Sequence, residues 1–204
     1  MKFLQTIKEE KLYALYHLAI KTGMRQGELP GLRWDDIQGN RIQIRQALAR
    51  SQDGTVELRQ PKTPSSVRNI SITESDVKVL QKHRTQQAEE RLKVGLAWQP
   101  TGLVFMTSLG TPLSHRNVLR QFKALSKRAE LPVISFHDLR HTHATMMLEA
   151  GVHPKIVQER HGHSKITTTL DTYSHALPNM QEEAARRIEN MLDSGPEKYF
   201  GTRT

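Results

Sequence analysis

The chain of 204 residues contains no cysteine. That absence excludes disulfide frameworks, zinc ribbons, thiol nucleophiles and cysteine-ligated clusters. Long apolar runs are also missing, since none approaches the ~18–20 residues of a membrane span. The opening stretch, MKFLQTIKEEKLYALYHLAI, carries charges where a secretory signal has its apolar core. A soluble cytoplasmic protein is the expectation. Internal repeats and low-complexity tracts are absent as well. What remains is a globular composition, 36% hydrophobic and 25% charged. A chain of this length buries well over half of its unfolded surface, so it can fold without a disulfide or a structural metal.

Acidic residues are the scarcer charge. There are 30 Lys and Arg against 21 Asp and Glu, a formal net of +9. Residues 1–50 carry nine basic and five acidic side chains, and residues 111–177 carry the same numbers. Residues 178–204 carry four basic and five acidic, so the excess lies in the body and stops at the tail. A basic body points to a polyanion, most often nucleic acid.

Periodicity predicts a mainly helical α+β chain. Helices are expected over 9–22, over 26–33 with Pro30 interrupting, and from Thr73 or Ser75 to about Val94. Further helices are expected near 114–129, 136–149, 154–160, 165–175 and 178–192. Gly23, Gly151, Pro154, Gly162 and Pro178 punctuate them. Alternation at 41–46, 56–59 and 67–72 predicts three strands, read together as one small antiparallel sheet. Nothing resembles an interdomain linker. One unit over 1–194 is expected, with 195–204 as a flexible tail.

Seven of the ten histidines fall between 137 and 175. His137 and Arg140 are three apart, so a helix puts them on one face. They sit in its first turn, where unpaired N–H groups suit a phosphate oxygen. Arg25 follows the helix-ending Gly23, with Glu28 three residues on, the layout of an anion clamp oriented by its own carboxylate. Lys62 lies in a turn between two predicted strands, where a flexible amine can reach into a site. Taken singly, each has a plainer explanation. A histidine can be packing, Arg25 can be a surface pair with Glu28, and Lys62 can be a solvated loop residue.

Taken in order, TGMRQGELPGLRW, PKTPSSVRNI, HDLRHTHATMMLEAG and GHSKITTTLDTYSH resemble the catalytic domain of the tyrosine recombinases, the phage integrases. The spacings agree: His-x-x-Arg, then Gly-His, then a tyrosine ten residues after that histidine. The resemblance runs over roughly residues 10–192. It implies the recombinase catalytic-domain fold, mainly helical with a small three-stranded antiparallel sheet. It implies DNA strand cleavage and rejoining through a 3′-phosphotyrosine, for integration or excision of a mobile element. On that resemblance Arg25 and Arg140 are the two arginines of the phosphate clamp, and Lys62 is the acid that protonates the leaving 5′ oxygen. His137 is the histidine of His-x-x-Arg, His163 that of Gly-His, Tyr173 the nucleophile and Glu28 a supporting acid.

The chemistry suits these residue types. Two guanidiniums can neutralise charge growing on a pentavalent phosphate. A tyrosine, with a reference pKa near ~10, needs a base or nearby cations to attack. Cationic side chains can take the electrostatic part of a metal, so no metal and no cofactor is expected. Double-stranded DNA is the expected partner, along with other protomers on it. Residues 178–192 form an amphipathic segment with Ala184, Ala185, Ile188, Met191 and Leu192 at helical spacing. It either packs on its own domain or, as the resemblance suggests, docks on a neighbouring protomer. No membrane partner is expected.

Two positions depart from the family pattern. Pro30 stands where a helix former is usual, and is expected to remove a donor and kink the helix after Arg25. His161 replaces the usual leucine before Gly-His, which leaves a buried polar group needing a partner. The core-binding and arm-binding domains of the family are expected to be absent, because few residues precede the first helix. Other readings stay open. One is a DNA-binding integrase fragment without catalysis. Another is a metal-dependent hydrolase built on His137, His141, His143, His161 and His163, although HDLRH lacks the glutamate of H-E-x-x-H. A type IB topoisomerase shares the cleavage chemistry, but Gly-His and the small size favour a recombinase.

Overall fold

The computed structural model describes residues 2–50, 56–60, 66–173 and 180–193. Its centre is helix α2, Tyr13–Thr22, buried along nearly its whole length. That helix is apolar on most sides, so it is enclosed rather than laid on a surface. A short helix α1, Lys2–Thr6, precedes it and supplies Phe3; the sequence pattern did not indicate this helix. Around Tyr16 gather Phe3, Phe122 and Phe136, with neighbouring ring centroids 5.4–6.1 Å apart and mostly edge-on or tilted. Phe122 comes from α5, His115–Arg128, and Phe136 from α6, Phe136–Glu149.

After Gly23 come α3, Glu28–Gly31, then β1, Ile37–Gln38, and β2, Arg41–Ile44. They are followed by β3, Ala47–Arg50, β4, Val56–Arg59, and β5, Arg68–Ser71. The expected single sheet of 41–46, 56–59 and 67–72 is corrected here. The three-stranded antiparallel sheet has the order β1-β2-β5, pairing Gln38 with Arg41 and Ile42 with Ile70. Val56–Arg59 instead pairs with Ala47–Arg50 as a separate hairpin. The run from Arg41 to Arg50 is thus two strands, and only the first is held in the sheet. Ile42, Ile44 and Ile70 are buried, because alternate positions face the core.

Helix α3 lies against β3. A Cβ on Gly27 would come 2.9 Å from the Leu48 carbonyl oxygen, and one on Gly31 would come 2.9 Å from the Leu48 nitrogen. Helix α4, Glu74–Val94, starts at Thr73, whose backbone N–H donates to Asp76 Oδ2 at 2.8 Å. Asp76 also accepts from His17 at 2.7 Å, which ties α4 to α2. Helices α7, Pro154–His161, α8, Ile166–Tyr173, and α9, Met180–Asp193, complete the order. Among the described residues no helix is long and apolar enough to cross a membrane. The side chains of Ile188, Met191 and Leu192 on α9 are exposed in this chain. Residues 195–204 lie outside the described residues.

Candidate active site

Two glycine-ended helices build the site. Gly23 closes α2 at φ +64°, and Gly162 closes α7 at φ +64°. Left-handed backbone of this kind favours glycine. At Gly23 space is a second requirement, since a Cβ there would come 2.6 Å from His161 Nε2 and 2.8 Å from His143 Nδ1.

The two arginines are cross-braced through these ends. Arg140 of α6, only 4% exposed, donates from Nη1 to the Gly23 carbonyl and from Nη2 to the His161 carbonyl, both at 2.6 Å. Arg25, just past Gly23, donates from Nη2 to the Gly162 carbonyl at 2.5 Å and from Nη1 to Glu28 Oε1 at 2.9 Å. Arg140 is therefore held by the segment that carries Arg25, and both guanidiniums are held by the adjacent His161 and Gly162 carbonyls at the end of α7. The Arg25 side chain remains 36% exposed, so it is the more accessible of the two.

Glu28 is 4% exposed and accepts four hydrogen bonds. Arg25 gives its backbone N–H at 2.7 Å and its Nη1, while Arg68 on β5 gives Nη1 and Nη2, each at 2.8 Å. Burial alone would raise the carboxyl, but the fork of Arg68 and the charges of Arg68 and Arg25 override it and hold Glu28 at about 2. Glu28 is thus a fixed anion that aims Arg25. Pro30 sits within the first turn of the four-residue α3, where an N–H has no intrahelical acceptor in any case. The expected loss of a helix hydrogen bond does not arise.

His161 is fully buried, and it finds one partner. His143 Nδ1 and His161 Nε2 are 2.8 Å apart with the rings stacked. Arg160 Nε lies 3.3 Å from His143 Nε2. The Nδ1 of His161 has no hydrogen-bond partner among the described residues. Burial and the charges of Arg160 and Arg140 push His143 down to about 4, and burial with Arg140 pushes His161 lower still.

His163 is half-buried, with Nδ1 2.9 Å from the hydroxyl of Thr169 on α8. Burial and then the charges of Arg140, Arg25 and Arg68 lower it to about 4. His137 stays exposed on the first turn of α6, its ring edge-on to His141 with centroids 4.6 Å apart. Partial burial, then His141 and Arg140, lower its pKa, and Arg25 also acts on it. Thus Arg25, Arg140, His137 and His163 lie within one another's electrostatic reach. At the N-terminus of α6, Asp138 accepts the Ser135 N–H at 2.6 Å in a capping box. Tyr173 ends α8, the helix tied to His163 through Thr169; its side chain and the whole of Lys62 lie outside the described residues. The five histidines of the hydrolase reading divide into an outer pair, His137 and His141, an inner stack, His143 and His161, and His163 edge-on to His161. Among the described residues no three metal-binding side chains converge on a common point.

Arg68 is the residue the sequence reading missed. Its signal was slight: a basic residue inside the alternating run VRNISI, at an inward position of a predicted strand. An inward arginine demands a buried anion.

The sequence matches the model of the phage integrase family over residues 1–180. The chain belongs to the phage integrase family. Among curated family members, it is 36% identical to a tyrosine recombinase XerC-like protein of Caldanaerobacter subterraneus subsp. tengcongensis, over 94% of this chain and 52% of that protein. It is 30% identical to the ICEBs1 integrase of Bacillus subtilis, with the same shares covered. The structure of the Tn1549 transposon integrase in complex with transposon right end DNA superposes with a TM-score of 0.77 at 26% identity. That match covers 92% of this chain and 63% of the Tn1549 chain. The chain spans about half the length of the curated relatives it matches. The mainly helical catalytic-domain fold of the family is the fold described above.

Proposed function

We propose that residues 1–194 are the catalytic domain of a site-specific DNA recombinase that acts in the cytoplasm. The observation that carries this reading is the cross-braced pair of Arg25 and Arg140, with Glu28 aiming the first. A rigidly held pair of guanidiniums suits the two non-bridging oxygens of one phosphodiester and the charge they gain in the transition state. Tyr173 attacks phosphorus, its Oη–P bond forms and the P–O5′ bond breaks. The phenolic proton passes to a neutral imidazole of His137 or His163, and Lys62 gives a proton to the departing 5′ oxygen. The 3′-phosphotyrosine keeps the phosphodiester energy, so a 5′ hydroxyl of another strand can reverse the step.

Double-stranded DNA as partner is supported by α5. Arg116, Arg120, Lys123 and Lys127 are exposed on one face of it, and the helix has no acidic residue. Four phosphate contacts there would give a salt slope of roughly −3.6. The exposed apolar stripe of α9 supports contact with a second protomer on the DNA. The deciding experiment is covalent trapping on nicked duplexes carrying inverted repeats. The parent chain should form a protein–DNA adduct and Tyr173→Phe should bind equally but form none. Adduct from the Phe variant would assign the nucleophile elsewhere, and no adduct from the parent on any site would favour a non-catalytic DNA-binding role.

A further inference from the structure

We propose that Arg68 is a positioning residue for cleavage, acting through Glu28 on the guanidinium of Arg25; this rests on Arg25 being the phosphate clamp. Arg68 is 9% exposed and anchors three separate segments. Its Nη1 and Nη2 hold both oxygens of Glu28 at 2.8 Å. Its Nε donates to the Arg160 carbonyl at 2.7 Å, and Nη1 also reaches the Ser66 carbonyl at 3.2 Å. The Arg160 carbonyl directly precedes the His161 and Gly162 carbonyls that hold Arg140 and Arg25. One side chain therefore fixes the carboxylate on one flank of Arg25 and the backbone on the other.

The chemistry of the fork makes the role specific. A carboxylate with four acceptor positions filled has one orientation, and the two bonds to Arg68 set its plane. If Arg68 is replaced by lysine, the charge remains but a single ammonium cannot hold both oxygens. Glu28 can then rotate, and Arg25 follows it. Ion pairs this deeply buried add little net stability over apolar residues of equal volume, so geometry is what this pair supplies.

The test compares the full chain with Arg68→Lys, Arg25→Ala and the double variant on the nicked duplex that the parent cleaves. At saturating DNA, Arg68→Lys should form adduct ~10²-fold more slowly, the cost of a misplaced catalytic group. Its DNA affinity should stay within ~3-fold of the parent, and the double variant should be no slower than Arg25→Ala within ~3-fold, because the two residues act as one unit. Multiplying losses in the double variant, or a normal rate in Arg68→Lys, would overturn the proposal. A second measurement needs no cleavage. Phenylglyoxal labelling of Arg25, read by mass spectrometry against Arg91, should rise several-fold in Arg68→Lys and in Glu28→Gln, each assayed below its melting transition. Unchanged labelling of Arg25 in both variants would also overturn the proposal, whatever the DNA chemistry of the parent.

Discussion

The helices packed around α2, with the first turn of α6 among them, and the block formed by the rest of α6 with α7 and α8 are held by opposite means. Around α2 the cohesion is apolar, a single cluster running from Phe3 through Tyr16 and Phe122 to Leu139. In the α6–α7 block the buried apolar cluster is only Ala144, Leu148 and Val157. Its place is set instead by arginines donating to carbonyls: Arg140 to Gly23 and His161, Arg68 to Arg160, and Arg160 to Ser71 and Lys21. Apolar contact is non-directional and tolerates small shifts. Hydrogen bonds from a planar guanidinium specify angle as well as distance. The two guanidiniums of the proposed clamp therefore sit where directional bonds replace bulk packing.

Substitutions can separate the two regimes, and the largest effect on stability is expected in the apolar one. Phe122→Ala should cost about 3–5 kcal/mol of folding free energy. Its melting temperature should fall by about 10 °C, with the adduct rate of the still-folded protein near that of the parent. Calorimetry paired with the trapping assay checks this, and a lost rate at retained fold would erase the distinction. Arg140→Ala should do the reverse, slowing cleavage by ~10² or more, a transition-state loss of ~3 kcal/mol, while DNA binding persists. Arg91→Ala, on the exposed end of α4, is the control and should change the rate less than ~2-fold.

The next effect is on pH. His143 and His163 ionise at about 4 in the folded chain, against ~6.5 when unfolded. The unfolded state takes up more protons between those values, so stability is complete above ~pH 6.5 and falls as pH drops towards 4. Melting curves from pH 4.5 to 8 should show this slope. His161→Leu should flatten it, and Phe122→Ala should shift the whole curve without changing its slope. The smallest effect belongs to the exposed stripe of α9. Ile188→Ser should alter the melting temperature of the isolated chain by less than ~2 °C. The same change should reduce strand exchange between protomers more than single-strand cleavage. A large drop in melting temperature would place that face against its own domain.

Much of this was readable beforehand. Helix α6 was predicted at its observed limits, because Ser135, Asp138 and the period of its apolar residues are all local signals. The pairing of Arg25 with Glu28 was readable for the same reason, being three residues apart. The sheet was misread because alternation marks a strand but not its neighbour. Val56–Arg59 pairs with Ala47–Arg50, a run the alternation did not mark, rather than with Arg41–Ile44. Helix α1 was missed because five residues are too few for a period to show.

Sequence alone determined the kinds of group available and their order along the chain: two arginines, a run of histidines, a late tyrosine and no cysteine. It also determined where helices end, since Gly23 and Gly162 act through their own backbone. Only the tertiary structure decided that Arg68 faces Glu28 from 40 residues away. It alone decided that Arg25 and Arg140 meet the adjacent Gly162 and His161 carbonyls, and that His161 stacks on His143. The physical reason is that a buried charge or imidazole has no fixed partner until the chain closes. Its pairing is then imposed by the cost of leaving any such group unsatisfied, which is a property of the enclosed space and not of the neighbouring residues.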